Sequence, residues 1–347
     1  MAQGFVPTPI APLGLAGRLG VLGRKPGFQY RLQQSAIDIL MIFVVLQVAS
    51  VVFAEVDPNR FAFASSANLL VAFQTIPLLG VVAIGVGILM VAGEFDLSVG
   101  ANYLFSSLMM AQIYEDYHIS IWLCALIGLA IGTGIGFANG LITLKLRIPS
   151  FITTLGTMGI WEAAALLFHG ASSETFDDVP KAFLTLTNGS FGVMAAEMIW
   201  FIGIAIAAWA LLQRHSAGNH IFASGGSPGA AVSSGVNVFR AKMLAFCLAG
   251  GLAALAGILA AANVGDVSPD INSQVPLEAI AACVIGGASL TGGRGTVLGM
   301  FLGAVLLYWI QDVLLLLSAP GFYLTAFVGA LVIAAAVMYQ VLQARRT

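Results

Sequence analysis

The sequence predicts an all-α integral membrane protein with about ten transmembrane helices, and three observations predict it. The first is composition. Of the 347 residues, 59% are apolar and 9% are charged, against about 45–50% and about 25% in a soluble domain. So little charge cannot solvate a globular surface, which excludes a cytosolic enzyme, a nucleic-acid binder and a disordered chain. The second is segmentation: the apolar residues fall in runs close to the roughly 20 that cross a hydrocarbon core. The third is placement: the few charges stand between the runs, with bases and acids sorted to opposite sides.

In chain order, a tail (1–35) carries Arg18, Arg24, Lys25 and Arg31. The first run, Ala36–Ala54, exceeds the roughly 7–15 residues of a signal peptide's apolar region, so it reads as a span that stays. The others are Leu69–Ala92, Leu97–Tyr114, Ile119–Leu144, Ser150–His169, Val193–Leu212, Ala241–Ala262, Pro276–Leu290, Gly295–Leu317 and Phe322–Val341. The second and eighth fit least well, one being long and the other short; eight or nine spans with one re-entrant is the other reading. Residues 36–342 thus read as a single transmembrane domain, followed by a tail at 343–347.

With the N-terminus inside, twelve of the fourteen bases fall inside: Arg18, Arg24, Lys25, Arg31, Lys145, Arg147, Arg214, Arg240, Lys242, Arg294, Arg345 and Arg346. Only Arg60 and Lys181 fall outside, as the positive-inside rule requires. The outer loops gather acids, among them Glu55, Asp57, Glu115, Asp116, Glu174, Asp177, Asp178, Asp266 and Asp270. Tyr114, Tyr117, Trp122, Trp200 and Tyr323 reach the outer interface, and Tyr30 and Tyr339 the inner one, as an aromatic belt. The largest inner segment, residues 213–240, is polar and glycine-rich.

Cys124, Cys247 and Cys283 each sit in an apolar run with no C-x-x-C, so buried free thiols are expected. His215 and His220 stand five apart, a poor ligand spacing, and no metal site is expected. No nucleophile–base–acid grouping is legible. No G-x-x-x-x-G-K-[ST] occurs, so nucleotide hydrolysis by this chain is not expected.

Several motifs stand out. Gly128, Gly132, Gly136 and Gly140 line one face of the fourth span, and Gly295, Gly299 and Gly303 repeat the spacing in the ninth. Bare faces let helices approach closely, either within the fold or at a dimer contact. Glu94 and Asp96 lie between two long apolar runs. Acids at membrane depth point to function. Asp96 is also placed to cap the third span, whereas Glu94 has no such explanation. Pro149 ends one element and Ser150 can cap the next. Thr153, Thr154 and Thr157 make a hydroxyl face on the fifth span, by lining a path or by bonding back to helix carbonyls. Glu278, after Pro276, fits an ordinary helix start.

Four of these motifs together resemble the permease subunits of bacterial ribose-type ABC sugar importers, kin to the branched-chain amino-acid permeases. They are Gly93-Glu-Phe-Asp-Leu-Ser-Val-Gly100, and Asn139-Gly-Leu-Ile through Arg147-Ile-Pro-Ser-Phe-Ile-Thr-Thr-Leu-Gly-Thr-Met158. The others are Ala223-Ser-Gly-Gly-Ser-Pro-Gly-Ala-Ala-Val-Ser-Ser-Gly-Val236, and Leu277-Glu-Ala-Ile-Ala-Ala through Ile285-Gly-Gly-Ala-Ser-Leu-Thr-Gly-Gly-Arg-Gly295. The resemblance implies a type II ABC importer fold with cytoplasmic termini, in the bacterial inner membrane. It implies a second permease chain, identical or a sister. It implies a cytoplasmic ABC ATPase carrying ATP and Mg, and a periplasmic substrate-binding protein. No cofactor is expected in this chain. A coupling helix would lie in Gly226 to Gly235 and meet the ATPase, with the contact on Gly226, Ser227, Gly229, Ala230, Ala231, Ser234 and Gly235. Three departures are visible: Ser227 replaces the family's Asn, Val232 a common base, and Glu94 a small or apolar residue.

The expected function is import of a monosaccharide or related polyol by alternating access. A neutral polar cargo needs small residues and hydroxyls, which points to Gly80, Gly85, Gly87, Thr153, Thr154, Thr157 and Ser289. Glu94, Asp96, Ser98 and Asn139 complete the candidate route. The alternatives are a branched-chain amino-acid or nucleoside ABC permease, or an ion-coupled secondary transporter using Glu94 or Asp96.

Overall fold

A computed structural model describes residues 28–56, 63–170, 172–176, 178–192, 194–268, 274–323, 325–330, 333 and 337. The N-terminal tail through Gly27, Asp57, Arg60, Asp177, Asp270, Tyr339 and the C-terminal tail lie outside the described residues.

The first half runs α1 (Phe28–Val56), α2 (Ser66–Val91), α3 (Val99–Tyr117), α4 (Ile121–Leu146) and α5 (Ser150–His169). An outer segment follows, with β1 (Glu174–Thr175), α6 (Lys181–Asn188), β2 (Ser190–Phe191) and β3 (Met194–Ala195). Then come α7 (Ala196–Arg214), α8 (Ser216–Gly226), α9 (Pro228–Ser233), α10 (Val238–Val264), β4 (Asp266–Val267), α11 (Val275–Ile285) and α12 (Val297–Leu316). Residues 321–330 are helical where described.

Where the residues are described, each apolar run lies mostly on helix. Among the described residues, α2, α4, α5, α7, α10 and α12 are long and apolar enough to cross a membrane. The eighth run is shorter than expected. Helix α11 stops at Ile285, about 16 Å from its start at 1.5 Å per residue. Gly287 (φ +81) then takes the left-handed conformation, and the Gly287 and Ala288 amides bond back to Val284 and Cys283. That is a Schellman stop, which a run of hydropathy alone cannot reveal. Residues 213–240 are not an open loop: they contain α8, α9 and the first residues of α10.

Helix α2 is the axis of the molecule. It packs against α7, α10, α11 and α12, and every residue from Gly80 to Val91 is buried. A helix that is apolar all round can lie inside the fold or against lipid. Lipid tails are as apolar as leucine, so enclosure is decided by how closely the helices fit. Gly80 lies under the Phe201 ring of α7, Gly85 against Ala249 of α10, and Gly87 against Met300 of α12.

The glycine face of α4 is filled within the chain. Gly128 meets the Ser106 carbonyl of α3 and Ile258 of α10, Gly132 meets Ala254, Gly136 meets Phe246 and Gly250, and Gly140 meets Met243 and Phe246. In the second half, Gly299 and Gly303 of α12 press on the Gly286 and Ala282 carbonyls of α11. Gly295 precedes α12 and touches Val91 and Ala288. Asn102 of α3 binds the assembly by donating to the Gly132 carbonyl of α4 and the Gly250 carbonyl of α10, both at 3.1 Å. At the outer end, β1 pairs with β4 and His169 meets Glu174 at 3.0 Å. Cys124 and Cys283 are buried free thiols, while Cys247 is half-buried.

Candidate functional site

The site gathers where α2 and α4 end and α5 and α10 begin. Gly93 (φ +82) ends α2, with the Gly93 amide bonded to Met90 and the Glu94 amide to Leu89. This left-handed position favours glycine. The chain then crosses to α3 through Glu94-Phe-Asp-Leu-Ser98, and a polar cluster fixes the crossing. The Phe95 amide donates to Ser150 Oγ at 3.1 Å, and the Leu97 amide to Thr154 Oγ1 at 3.0 Å. Asp96 Oδ1 accepts from the Ser98 amide at 2.8 Å and hydroxyl at 2.6 Å, and Asp96 Oδ2 from Asn139 Nδ2 at 3.2 Å. Asn139 also donates to Ser98 Oγ at 2.7 Å.

Asp96 is 1% exposed and Asn139 fully enclosed. Burial pushes the Asp96 carboxyl, in the connection between α2 and α3, above its ordinary range, while the hydrogen bonds from Ser98 and Asn139 pull it down. The expected cap is therefore a different device. Asp96 takes the Ser98 amide, one residue ahead of α3, and ties the crossing to α4. Ser98 is the N-cap and makes no side-chain capping bond.

Glu94 pairs with Lys242 in the first turns of α10, at 2.5 Å, with the two side chains 14% and 12% exposed. Beside it, three glycine-bearing stretches meet with no side chain between them. Gly93 lies against Gly225 at the end of α8, Gly292 against Gly93 and Gly225, and Gly293 against Gly226. The Gly293 amide donates to the Val91 carbonyl at 2.8 Å. From Gly226 to Ala230 the surface is exposed, Ala231 is buried, and 232–235 are exposed again. Ser227 closes α8 and opens α9, its carbonyl accepting from the Ala231 amide at 2.9 Å.

The other route candidates are mostly occupied. Gly80, Gly85 and Gly87 are seats for neighbouring helices. Thr154 donates to the Ser150 carbonyl at 2.9 Å and Thr157 to the Thr154 carbonyl at 3.3 Å, the back-bonding alternative. Ser289 and Thr291 share a hydroxyl contact at 3.1 Å in the loop before α12. Thr153 Oγ1 and Asn139 Oδ1 are buried with no partner among the described residues. Glu278 accepts from Gln311 of α12 at 3.0 Å. Replacing Thr154 with Val should remove the acceptor for the Leu97 amide and cost about 1 kcal/mol in denaturant unfolding, whereas Thr154→Ser should stay near wild type.

Lys242, Asn102 and the pair Asn68–Asp312 (2.9 Å) were not legible as site or tie residues. Lys242 reads only as one more inside charge. Asn102 carried a usable signal, a polar pair with Ser106 one turn apart on an apolar helix. The two share a 2.8 Å hydrogen bond.

The bundle of apolar helices defines a multi-pass membrane protein, with a segment of small residues exposed at one end of it. Residues 68–336 match the family model described as branched-chain amino acid transport system/permease component. The chain is 34% identical over 295 residues to the autoinducer 2 import system permease protein LsrC of Enterobacter sp. (strain 638), covering 85% of this chain and 84% of that one. It is 32% identical over 284 residues to the xylose/arabinose import permease protein XylH of Sulfolobus acidocaldarius, covering 80% and 78%. No solved structure matches. The chain belongs to the branched-chain amino acid transport system/permease component family. It is a multi-pass inner-membrane permease and a transporter component rather than an enzyme. Permeases of ABC importers work with ATPase and substrate-binding partners.

Proposed function

We propose that this chain is the membrane-spanning subunit of an ATP-driven importer for a monosaccharide or related polyol, working by alternating access. The observation that carries the cargo class is the 32% identity, over most of both chains, to a relative named for xylose and arabinose import. In this reading two permease chains, identical or sister, enclose the route. A separate cytoplasmic ATPase binds ATP and Mg, engaging the exposed surface at Gly226–Gly235, and a periplasmic binding protein delivers the sugar. Of the route candidates, Thr153 and Asn139 have hydrogen-bonding capacity to spare. A cargo hydroxyl could use it once the helices part. Asp96 and Glu94 are already partnered, which counts against an ion-coupled carrier built on them.

The test is reconstitution in proteoliposomes with an ABC ATPase and a substrate-binding protein from the same organism. ATP-dependent accumulation of labelled D-xylose or L-arabinose is the expected result. The description of the matched family supports a second reading, a branched-chain amino-acid permease. Accumulation of leucine and neither sugar would establish that reading and overturn the first. Transport without ATP, driven by a proton gradient, would overturn both.

A further inference from the structure

Glu94 is the residue by which this chain departs from the motif it otherwise matches. The structure gives it a partner, and the partner's place in the fold gives the pair a task. Gly93 and Glu94 are consecutive, and they hold opposite ends of one segment. Gly93 lies against the backbone of Gly225, where α8 ends: a Cβ on Gly93 would sit 3.2 Å from Gly225 Cα. Glu94 binds Lys242, in the first turns of α10, after the segment has passed through α9 and returned. Between these holds, Gly229 and Gly235 have no neighbour within 4 Å of an added Cβ, so this middle part is a surface free to be pushed. Gly292 and Gly293 close the junction from the α11–α12 loop.

We propose that Gly93 and Glu94 form a two-residue clasp that makes residues 225–242 and the inner end of α2 move as one body. Glu94 and Lys242 are then positioning residues for ATP-driven transport. The inference rests on the reading that the ATPase engages Gly226–Gly235. The physical basis is asymmetric. The glycine contact transmits compression, because backbone atoms already touch and cannot approach further. It cannot transmit tension. A largely buried ion pair can, because separating it leaves two charges without partners in a poorly solvated place. With both, a push or a pull on α9 reaches the end of α2 directly; with the glycines alone only a push does, and a pull reaches α2 only along the packed length of α10.

The first measurement needs no cargo. In the detergent-solubilised full chain, Glu94→Gln and Lys242→Met should speed hydrogen exchange about tenfold across the amides of 227–237. The double exchange Glu94→Lys with Lys242→Glu should return it towards wild type. Unchanged exchange in both single variants overturns the clasp, whether or not the chain imports sugar. The second measurement is sugar moved per ATP hydrolysed in the reconstituted importer. The single variants should lose about tenfold in that ratio with ATP hydrolysis retained, and the double exchange should regain most of it. A wild-type ratio in the single variants, or no recovery in the exchanged pair, overturns the positioning role. Absence of ATP-driven uptake in the wild type would instead count against the importer reading, and the exchange measurement would still decide the clasp.

Discussion

Gly136→Val is expected to destabilise the solubilised protein by about 3 kcal/mol, the upper end of the usual cost of overpacking. The reason lies in what an added side chain would meet. A Cβ at Gly136 would sit 3.2 Å from Gly250 Cα and 3.1 Å from the Phe246 carbonyl carbon, with the Phe246 oxygen closer still. These are backbone atoms of a neighbouring helix and cannot turn away as a side chain can. Helices α4 and α10 would have to separate, and Asn102 would lose the carbonyls of Gly132 and Gly250 that it holds together. The control is on the same helix: Gly134 has nothing within 4 Å, so Gly134→Ala should leave the midpoint unchanged or raise it. Denaturant unfolding of both variants checks this, and equal effects would show that the interface tolerates a side chain.

Asp96→Ala should cost at least as much, about 1–3 kcal/mol for each buried donor left unmatched. The Ser98 amide and hydroxyl would both lose Asp96 Oδ1, and Asn139 would keep only Ser98. Asp96→Asn separates geometry from charge. It preserves an acceptor for Ser98 but turns an amide N–H₂ toward the Asn139 amide N–H₂, two donors face to face. Its midpoint should fall between those of wild type and the alanine variant. If Asp96→Ala left stability unchanged and abolished only uptake, Asp96 would be a route residue and not a tie.

The apolar helices α2, α4, α5, α7, α10 and α12 were legible because a bilayer imposes one requirement on every crossing segment, enough apolar length, and hydropathy reads length directly. The close-packing glycines were legible for a similar reason. Four at one-turn spacing in α4 present a bare face, and a bare face is where a helix can come near. Less was legible where a residue's role depends on a distant partner. Gly80, Gly85 and Gly87 look like room for a cargo in the sequence. In the fold, Phe201, Ala249 and Met300 take that room, from helices more than 100 residues away. Of the two local readings for Thr154, lining a path or bonding back, the structure shows the back-bond, together with a link to the α2–α3 crossing that neither reading contained. The resemblance placed a short helix within Gly226 to Gly235, where α9 lies, whereas α8 was masked by the polarity of its segment.

Membrane residence, the approximate positions of the helices and the family motifs could all be read from the chain alone. Those properties follow from composition and local pattern, which every short stretch of chain carries within itself. Only the tertiary structure decided that α2 is the enclosed axis, that Asp96 ties the crossing to α4, and that Glu94 meets Lys242. The last of these spans 148 positions. A pairing over that distance exists only once packing has brought the inner ends of α2 and α10 together, and nothing local to either residue announces it.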